Sequence, residues 1–311
     1  MESAFAPPAV LRHVEANGLN LAWDSFGNPA DPAVLLIMGL SCQLVHWPRS
    51  LCRQLADAGL YVVRFDNRDM GASTRLSEAG TPDIVRTYLR SRLGLRVQVP
   101  YRLDDLATDT LGLMDALQLQ DAHVVGLSMG GMVAQIMAAR APQRVRALTL
   151  MMTTSGARGV PGPSLRIRRR MIQRPARRDR DSLIAHSMAT WRVIGSPAYP
   201  TPEPELRSMV ETAFERGFHA AGSLRQMAAI VASGSRASLL PKITAPTQVL
   251  HGEADPLVPV AAGHDLARRI PGARLIAFPG MGHDLPSPLL PTIANRLIAH
   301  DPALAPVANA A

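Results

Sequence analysis

Hydrophobic positions along the chain fall into short continuous runs, separated by longer stretches with helical spacing. Ala33-Val34-Leu35-Leu36-Ile37-Met38, Tyr61-Val62-Val63-Arg64-Phe65, the run ending at Leu127, Ala147-Leu148-Thr149-Leu150-Met151-Met152, Thr247-Gln248-Val249-Leu250-His251 and Arg274-Leu275-Ile276-Ala277-Phe278 read as strands. Runs without strict polar alternation are expected where a strand is covered on both faces. Helices are predicted over 48–58, 103–118, 131–139, 260–269 and 288–300. In the second of these, Leu103, Leu106, Thr110, Leu113, Met114 and Leu117 recur near the period of a helix turn. At the start, 9–15 and 19–26 read as two strands joined at Asn17-Gly18, a strong hairpin signal. The stretch before residue 103 is polar and arginine-rich, and no element is assigned to it.

The alternation breaks at Ser155. Residues 155–243 hold no convincing strand; helical spacing appears at about 164–173, 180–194, 204–217 and 220–233. The pattern therefore predicts an α/β fold with a mostly parallel central sheet covered by helices on both faces and a helical cap insertion. Residues 1–154 and 244–300 form the expected core, 155–243 the cap, and the Ala/Pro-rich 301–311 a flexible tail. Ligands of such sheets bind beyond the carboxyl ends of the strands, so an insertion leaving a strand there would lie over the site.

Composition narrows the function. The chain has 311 residues, 47% of them hydrophobic, enough for one large core. The net charge is +8, carried almost wholly by arginine, since Lys242 is the only lysine. One segment concentrates it, Arg166 to Arg178, which reads as a solvated helix face. Aromatic residues are 4% of the chain and are not interleaved with that run, so no nucleic-acid partner is expected. Cys42 and Cys52 make no disulfide framework and suit a reducing, cytoplasmic setting. The first residues lack a secretory pattern, and no apolar stretch approaches the ~20 residues of a membrane span. No His/Cys/Asp cluster has metal-ligand spacing, and no Gly-x-Gly-x-x-Gly follows the early strands, so neither metal nor cofactor is expected.

The chemistry is concentrated in Gly126-Leu127-Ser128-Met129-Gly130-Gly131. An apolar run before it and a helix-forming run after it place Ser128 on a tight strand-to-helix turn, where its hydroxyl is exposed as a nucleophile. A serine hydroxyl needs a base, and the base needs an acid to fix its tautomer. In this topology the order is serine, acid, histidine. Asp255 follows the strand ending at His251, and Glu253 is a poorer candidate because it precedes the Asp-Pro turn. His283 lies in a glycine-flanked loop after the last strand. Acyl transfer also needs donors to an oxyanion. The backbone N–H groups of Met129 and Leu40 are the candidates, the second from the Met38-Gly39-Leu40-Ser41 loop, with the Leu40 side chain expected to line an acyl pocket. Trp191, Tyr199, Phe214 and Phe218 of the insertion read as cap–core packing before pocket lining.

With these residues in place, the chain resembles the α/β-hydrolase fold superfamily over about residues 10–300. The nucleophile elbow, the Asp255-Pro256 loop and the Gly282-His283 loop carry the resemblance. The segment from Asp66 to Ser73 resembles the superfamily's Asp-x-Arg-Gly-x-Gly-x-Ser loop but has Asp69 where glycine is usual. Met38-Gly39 stands where His-Gly is common. Together with His46-Trp47-Pro48, these departures resemble a carboxylesterase subgroup that includes aclacinomycin methylesterase. The resemblance implies hydrolysis of a small-molecule ester without a cofactor. Perhydrolase, lactonase and C–C hydrolase chemistry on the same residues stay open, as does a ligand receptor with little turnover. An aspartate-nucleophile dehalogenase or epoxide hydrolase is disfavoured by Ser128. Nothing in the sequence sets an oligomeric state.

Overall fold

The computed structural model describes residues 10–173 and 175–304. Strands β1 (Arg12–Ala16) and β2 (Leu19–Phe26) form the expected hairpin. Asn17 and Gly18 at its tip both take left-handed backbone, φ 52° and 71°, which matches the right-handed twist of the strands they join. Then come β3 (Ala33–Ile37), α1 (Arg49–Asp57), β4 (Tyr61–Phe65), α2 (Ile84–Arg92), α3 (Leu103–Ala116), β5 (Ala122–Leu127), α4 (Met129–Arg140) and β6 (Val145–Met151). Among the described residues four helices follow without a strand: α5 (Leu165–Ile172), α6 (Arg180–Ile194), α7 (Glu203–Gly217) and α8 (Ala220–Ser233). Strands β7 (Thr247–Gly252) and β8 (Arg274–Phe278) and helices α9 (Ala261–Arg269) and α10 (Leu290–His300) come after them.

The eight strands among the described residues make one sheet, in the order β1-β2-β4-β3-β5-β6-β7-β8. The β1/β2 and β2/β4 pairs are antiparallel and every later pair is parallel. The unbroken apolar runs are explained by the two faces. Leu35, Ile37, Val63, Phe65, Val124, Leu148 and Leu150 point into one apolar cluster with residues of α3 and α4. Their neighbours Val34, Leu36, Val62, Val125, Met151 and Leu250 point into a second, with Leu51 and Leu55 of α1 and Leu290, Ile293 and Leu297 of α10. Each such side chain contributes about 1.5–3 kcal/mol by leaving water, so both faces must be covered.

Helix α2 lies in the segment to which no element is assigned from sequence. Its Val85 and Leu89 are exposed, so apolar spacing carries no sign of a buried face. It starts instead from a cap, the Asp83 carboxylate accepting the Arg86 N–H at 3.0 Å.

The inserted helices pack in two ways. Ile184 and Met188 of α6 meet Leu206, Met209 and Val210 of α7 in a small cluster of their own, with Trp191 and Phe214 against it. Ala229 of α8 instead joins the large core cluster. Arg166, Arg168 and Arg169 of α5 are exposed, as a solvated helix face requires, while Arg170 turns to the Thr190 hydroxyl of α6; Arg174 lies outside the described residues. Of the tail expected to be flexible, Asp301 is instead buried and paired with Arg146 at 3.0 Å, and 302–304 form a short helical turn. The rest, 305–311, is outside the described residues. No helix among the described residues is long and apolar enough to cross a membrane.

Candidate active site

Parallel pairing aligns the carboxyl ends of the central strands. Leu127 of β5 pairs with Met151 of β6, Met151 with Leu250 of β7, and Gly252 of β7 with Phe278 of β8. Ser128, Asp255 and His283 follow the ends of β5, β7 and β8, so one sheet edge carries all three.

Ser128 has φ 54° and ψ −115°, a conformation that a residue with a side chain adopts only under constraint. The constraint is visible. Ser128 N–H donates to the Met151 carbonyl at 2.9 Å, and the Thr153 hydroxyl donates to the Ser128 carbonyl at 2.6 Å. Helix α4 leaves directly from this turn and crosses so close that only glycine fits: a Cβ on Gly130 would lie 2.0 Å from the Ile37 carbonyl oxygen, and one on Gly126 2.4 Å from that of Gly130.

Asp255 and His283 meet. The His283 Nδ1–H donates to Asp255 Oδ2 at 2.7 Å. An ionised carboxylate can only accept, so this bond favours the tautomer of the neutral ring with the proton on Nδ1 and the lone pair on Nε2. The other oxygen, Asp255 Oδ1, accepts the N–H groups of Leu257 and Val258 at 2.9 and 2.8 Å, which fixes the carboxylate. Asp255 is buried and Glu253 is exposed, so burial separates the two acidic candidates. Among the described residues no hydrogen bond joins Ser128 Oγ to the His283 ring.

Gly39 lies against Ser128; a Cβ there would be 3.2 Å from that of the serine. The loop carrying the Leu40 N–H is therefore beside the serine. The Met129 N–H is the first of α4, among the donors that a helix cannot satisfy internally. The Leu40 side chain is half-buried and packs on the large core cluster. Met38, where the superfamily often has histidine, is buried, and its carbonyl accepts from the Asn67 amide at 3.1 Å.

The inserted helices reach this edge through polar contacts that sequence reasoning missed. Gln226 of α8, fully buried, accepts the Ser41 N–H at 3.0 Å and donates to the Arg68 carbonyl at 3.1 Å, bracing the loop of Gly39. Arg216 of α7 donates to Asp66 at 2.6 Å, and Arg225 of α8 to Asp69 at 2.6 and 2.8 Å. Asp69 is the departure noted above, and its buried ion pair with the insertion gives that departure a physical reason. The Trp191 ring of α6 stacks on His46 at 5.7 Å. Burial pushes the His46 imidazole down to about 4 and the Cys52 thiol up to about 12, so both are uncharged at neutral pH. Both cysteines are free. Among the described residues no group of three or more His, Cys, Asp or Glu side chains is placed to hold a metal ion.

The α/β hydrolase fold family matches residues 32–286, and the chain belongs to it. Within that family it is similar to the rhodomycin D methylesterases of Streptomyces sp. (strain C5) and Streptomyces peucetius. Each is 30% identical, over 93% of this chain and 97% of the relative. Among solved structures, the enol-lactonase from Burkholderia xenovorans LB400 is similar with a TM-score of 0.70 at 22% identity, covering 93% of this chain and 99% of that one. The meta-cleavage product hydrolase from Pseudomonas fluorescens IP01 is similar with a TM-score of 0.72 at 20% identity, covering 93% and 96%. At those identities the two structures speak for the fold.

Proposed function

We propose that this protein is a cofactor-independent serine hydrolase that cleaves carboxylic esters through an acyl-enzyme. The observation that carries the reading is the 2.7 Å bond between Asp255 and His283, on the sheet edge that also carries the constrained Ser128. Ser128 Oγ attacks the ester carbonyl while His283 Nε2 takes its proton. The N–H groups of Leu40 and Met129 hold the oxyanion, where each such donor is worth roughly 10²–10³ in kcat. His283 then protonates the departing alkoxide, and the alcohol leaves. A water enters, His283 takes its proton, and hydroxide attacks the acyl carbonyl; collapse returns the proton to Ser128 and frees the acid. Asp255 holds the imidazole in the working tautomer and stabilises the imidazolium.

Residues 155–243 act as a cap over the site and, with the sheet edge, select the substrate. The two methylesterase relatives favour a methyl ester on a larger scaffold, which puts the bulk of the substrate on the acyl side. The decisive test is Ser128→Ala. It should abolish turnover of p-nitrophenyl and methyl esters with an unchanged circular dichroism spectrum, and a phosphonate probe should add its mass to wild type at Ser128 alone. Retained turnover in the variant would refute the mechanism.

A further inference from the structure

His283 is held from two directions. Its ring rests on Asp255, while its backbone rests on the insertion. The segment from Ile194, the last residue of α6, to Ala198 runs beside Gly280 to Asp284. His283 N–H donates to the Ile194 carbonyl at 2.7 Å, Gly282 N–H to Ser196 Oγ at 2.8 Å, and Ala198 N–H to the Gly280 carbonyl at 3.2 Å. Ser196 N–H donates to Asp284 Oδ2 at 3.2 Å, and its hydroxyl bonds Asp284 Oδ1. The hydroxyl has one hydrogen; having accepted from Gly282, it gives that hydrogen to Asp284. Ser196 is buried, so water does not replace these partners. The two backbones touch: a Cβ on Gly282 would lie 2.4 Å from the Gly195 carbonyl. Three consecutive residues centred on His283 thus take their position from Ile194 and Ser196.

We infer that Ser196 is a positioning residue for the general base. Through the Gly282 N–H and the Asp284 carboxylate it sets the loop backbone, and so sets where His283 Nε2 stands relative to Ser128. The inference rests on the triad reading above. Seating of the insertion is then part of catalysis, since the base is aligned only when this segment is docked. A displacement of about 1 Å in a reacting group can cost on the order of 10²-fold in rate.

The test is steady-state kinetics on p-nitrophenyl butyrate with Ser196→Ala and Ser196→Thr, beside thermal melts. Ser196→Ala should lower kcat by roughly 10- to 100-fold with KM within about twofold. Phosphonylation of Ser128, which also needs the base, should slow by the same factor. Ser196→Thr, which keeps the hydroxyl, should recover most of kcat. If Ser196→Ala does not fold, Ser196→Cys takes its place under the same criteria. Wild-type kcat in Ser196→Ala, a loss confined to KM, or a threonine variant as impaired as alanine overturns the inference. Activity surviving in Ser128→Ala would instead strike the triad reading, so the two failures are separable.

Discussion

Arg225→Met should destabilise the protein by about 3–5 kcal/mol, the range for leaving one member of a buried ion pair without its partner. The Asp69 carboxylate is fully buried at a left-handed backbone position, φ 70°. It accepts four bonds: two from Arg225 at 2.6 and 2.8 Å, one from the Tyr101 hydroxyl at 2.8 Å and one from the Leu76 N–H at 2.8 Å. Burial alone would raise its pKa, but Arg225, Leu76 and Tyr101 outweigh burial and hold it below the usual carboxylate range. Methionine keeps the apolar stem, yet the carboxylate loses its counter-charge and half its donors. Two charge-assisted bonds at about 1.5–3 kcal/mol each give about 3–6 kcal/mol, which spans that range. That is a large part of an ordinary total of about 5–15 kcal/mol. The assay is urea unfolding of wild type, Arg225→Met, Asp69→Gly and the double variant. Glycine at 69 relieves the backbone and removes the orphaned charge, so the double variant should recover at least about 2 kcal/mol relative to additive losses. The depressed pKa also sets a pH signature. Stability from Asp69 is present above the unfolded carboxylate value of about 3.9 and is lost as pH falls through the lower folded value, so the gap between wild type and Arg225→Met should narrow below about pH 4. A cost below about 1 kcal/mol, or an additive cycle, would refute the reasoning.

Three further outcomes are expected. Asp255→Asn should lower kcat on ester substrates by about 10⁴-fold, as loss of the equivalent acid does in a serine protease, because the amide can donate to Nδ1 and select the wrong tautomer; a loss under tenfold would show that Asp255 does not orient the base. His46, held neutral down to about 4 by burial, should make stability fall as pH drops from about 6.5 to about 4, by up to about 3 kcal/mol. His46→Phe keeps a ring against Trp191 and does not titrate. It should lose the Gln43 N–H acceptor at every pH but show a flatter acid slope; parallel melting-temperature curves across that window would contradict the assignment. Gln226→Leu, which leaves the buried Arg68 carbonyl without its donor and releases the N–H of exposed Ser41, should cost about 1–3 kcal/mol in urea unfolding and lower kcat through the Leu40 donor; unchanged values of both would show that the brace is idle.

Much of this molecule was legible because its signals are local. A strand between two helix layers must be apolar at successive positions, so β3 to β6 could be read directly. Asn17-Gly18 announced its hairpin, and the glycines around Ser128 announced the elbow, since both depend on backbone geometry within a few residues. The meeting of Asp255 and His283 was legible through chain order after strand ends. Helix α2 was not, because its apolar side chains are exposed and its start is a cap. Asp301 read as tail because its partner Arg146 lies 155 residues earlier in the chain, at 3.0 Å.

The sequence by itself determined the layer architecture, the tight turn at Ser128 and the strand ends that Asp255 and His283 follow, because burial periodicity and tight-turn chemistry act over short stretches. The tertiary structure alone decided which side chains hold the site in place. Arg216 reaches Asp66, Arg225 reaches Asp69, Gln226 reaches Ser41 and Ser196 reaches Gly282 and Asp284, across gaps of 86 to 185 residues. Such pairs leave no period or motif in the chain. An arginine or glutamine in an inserted helix looks solvated until folding buries it, and only then do the cost of desolvation and the match of donor to acceptor make it specific.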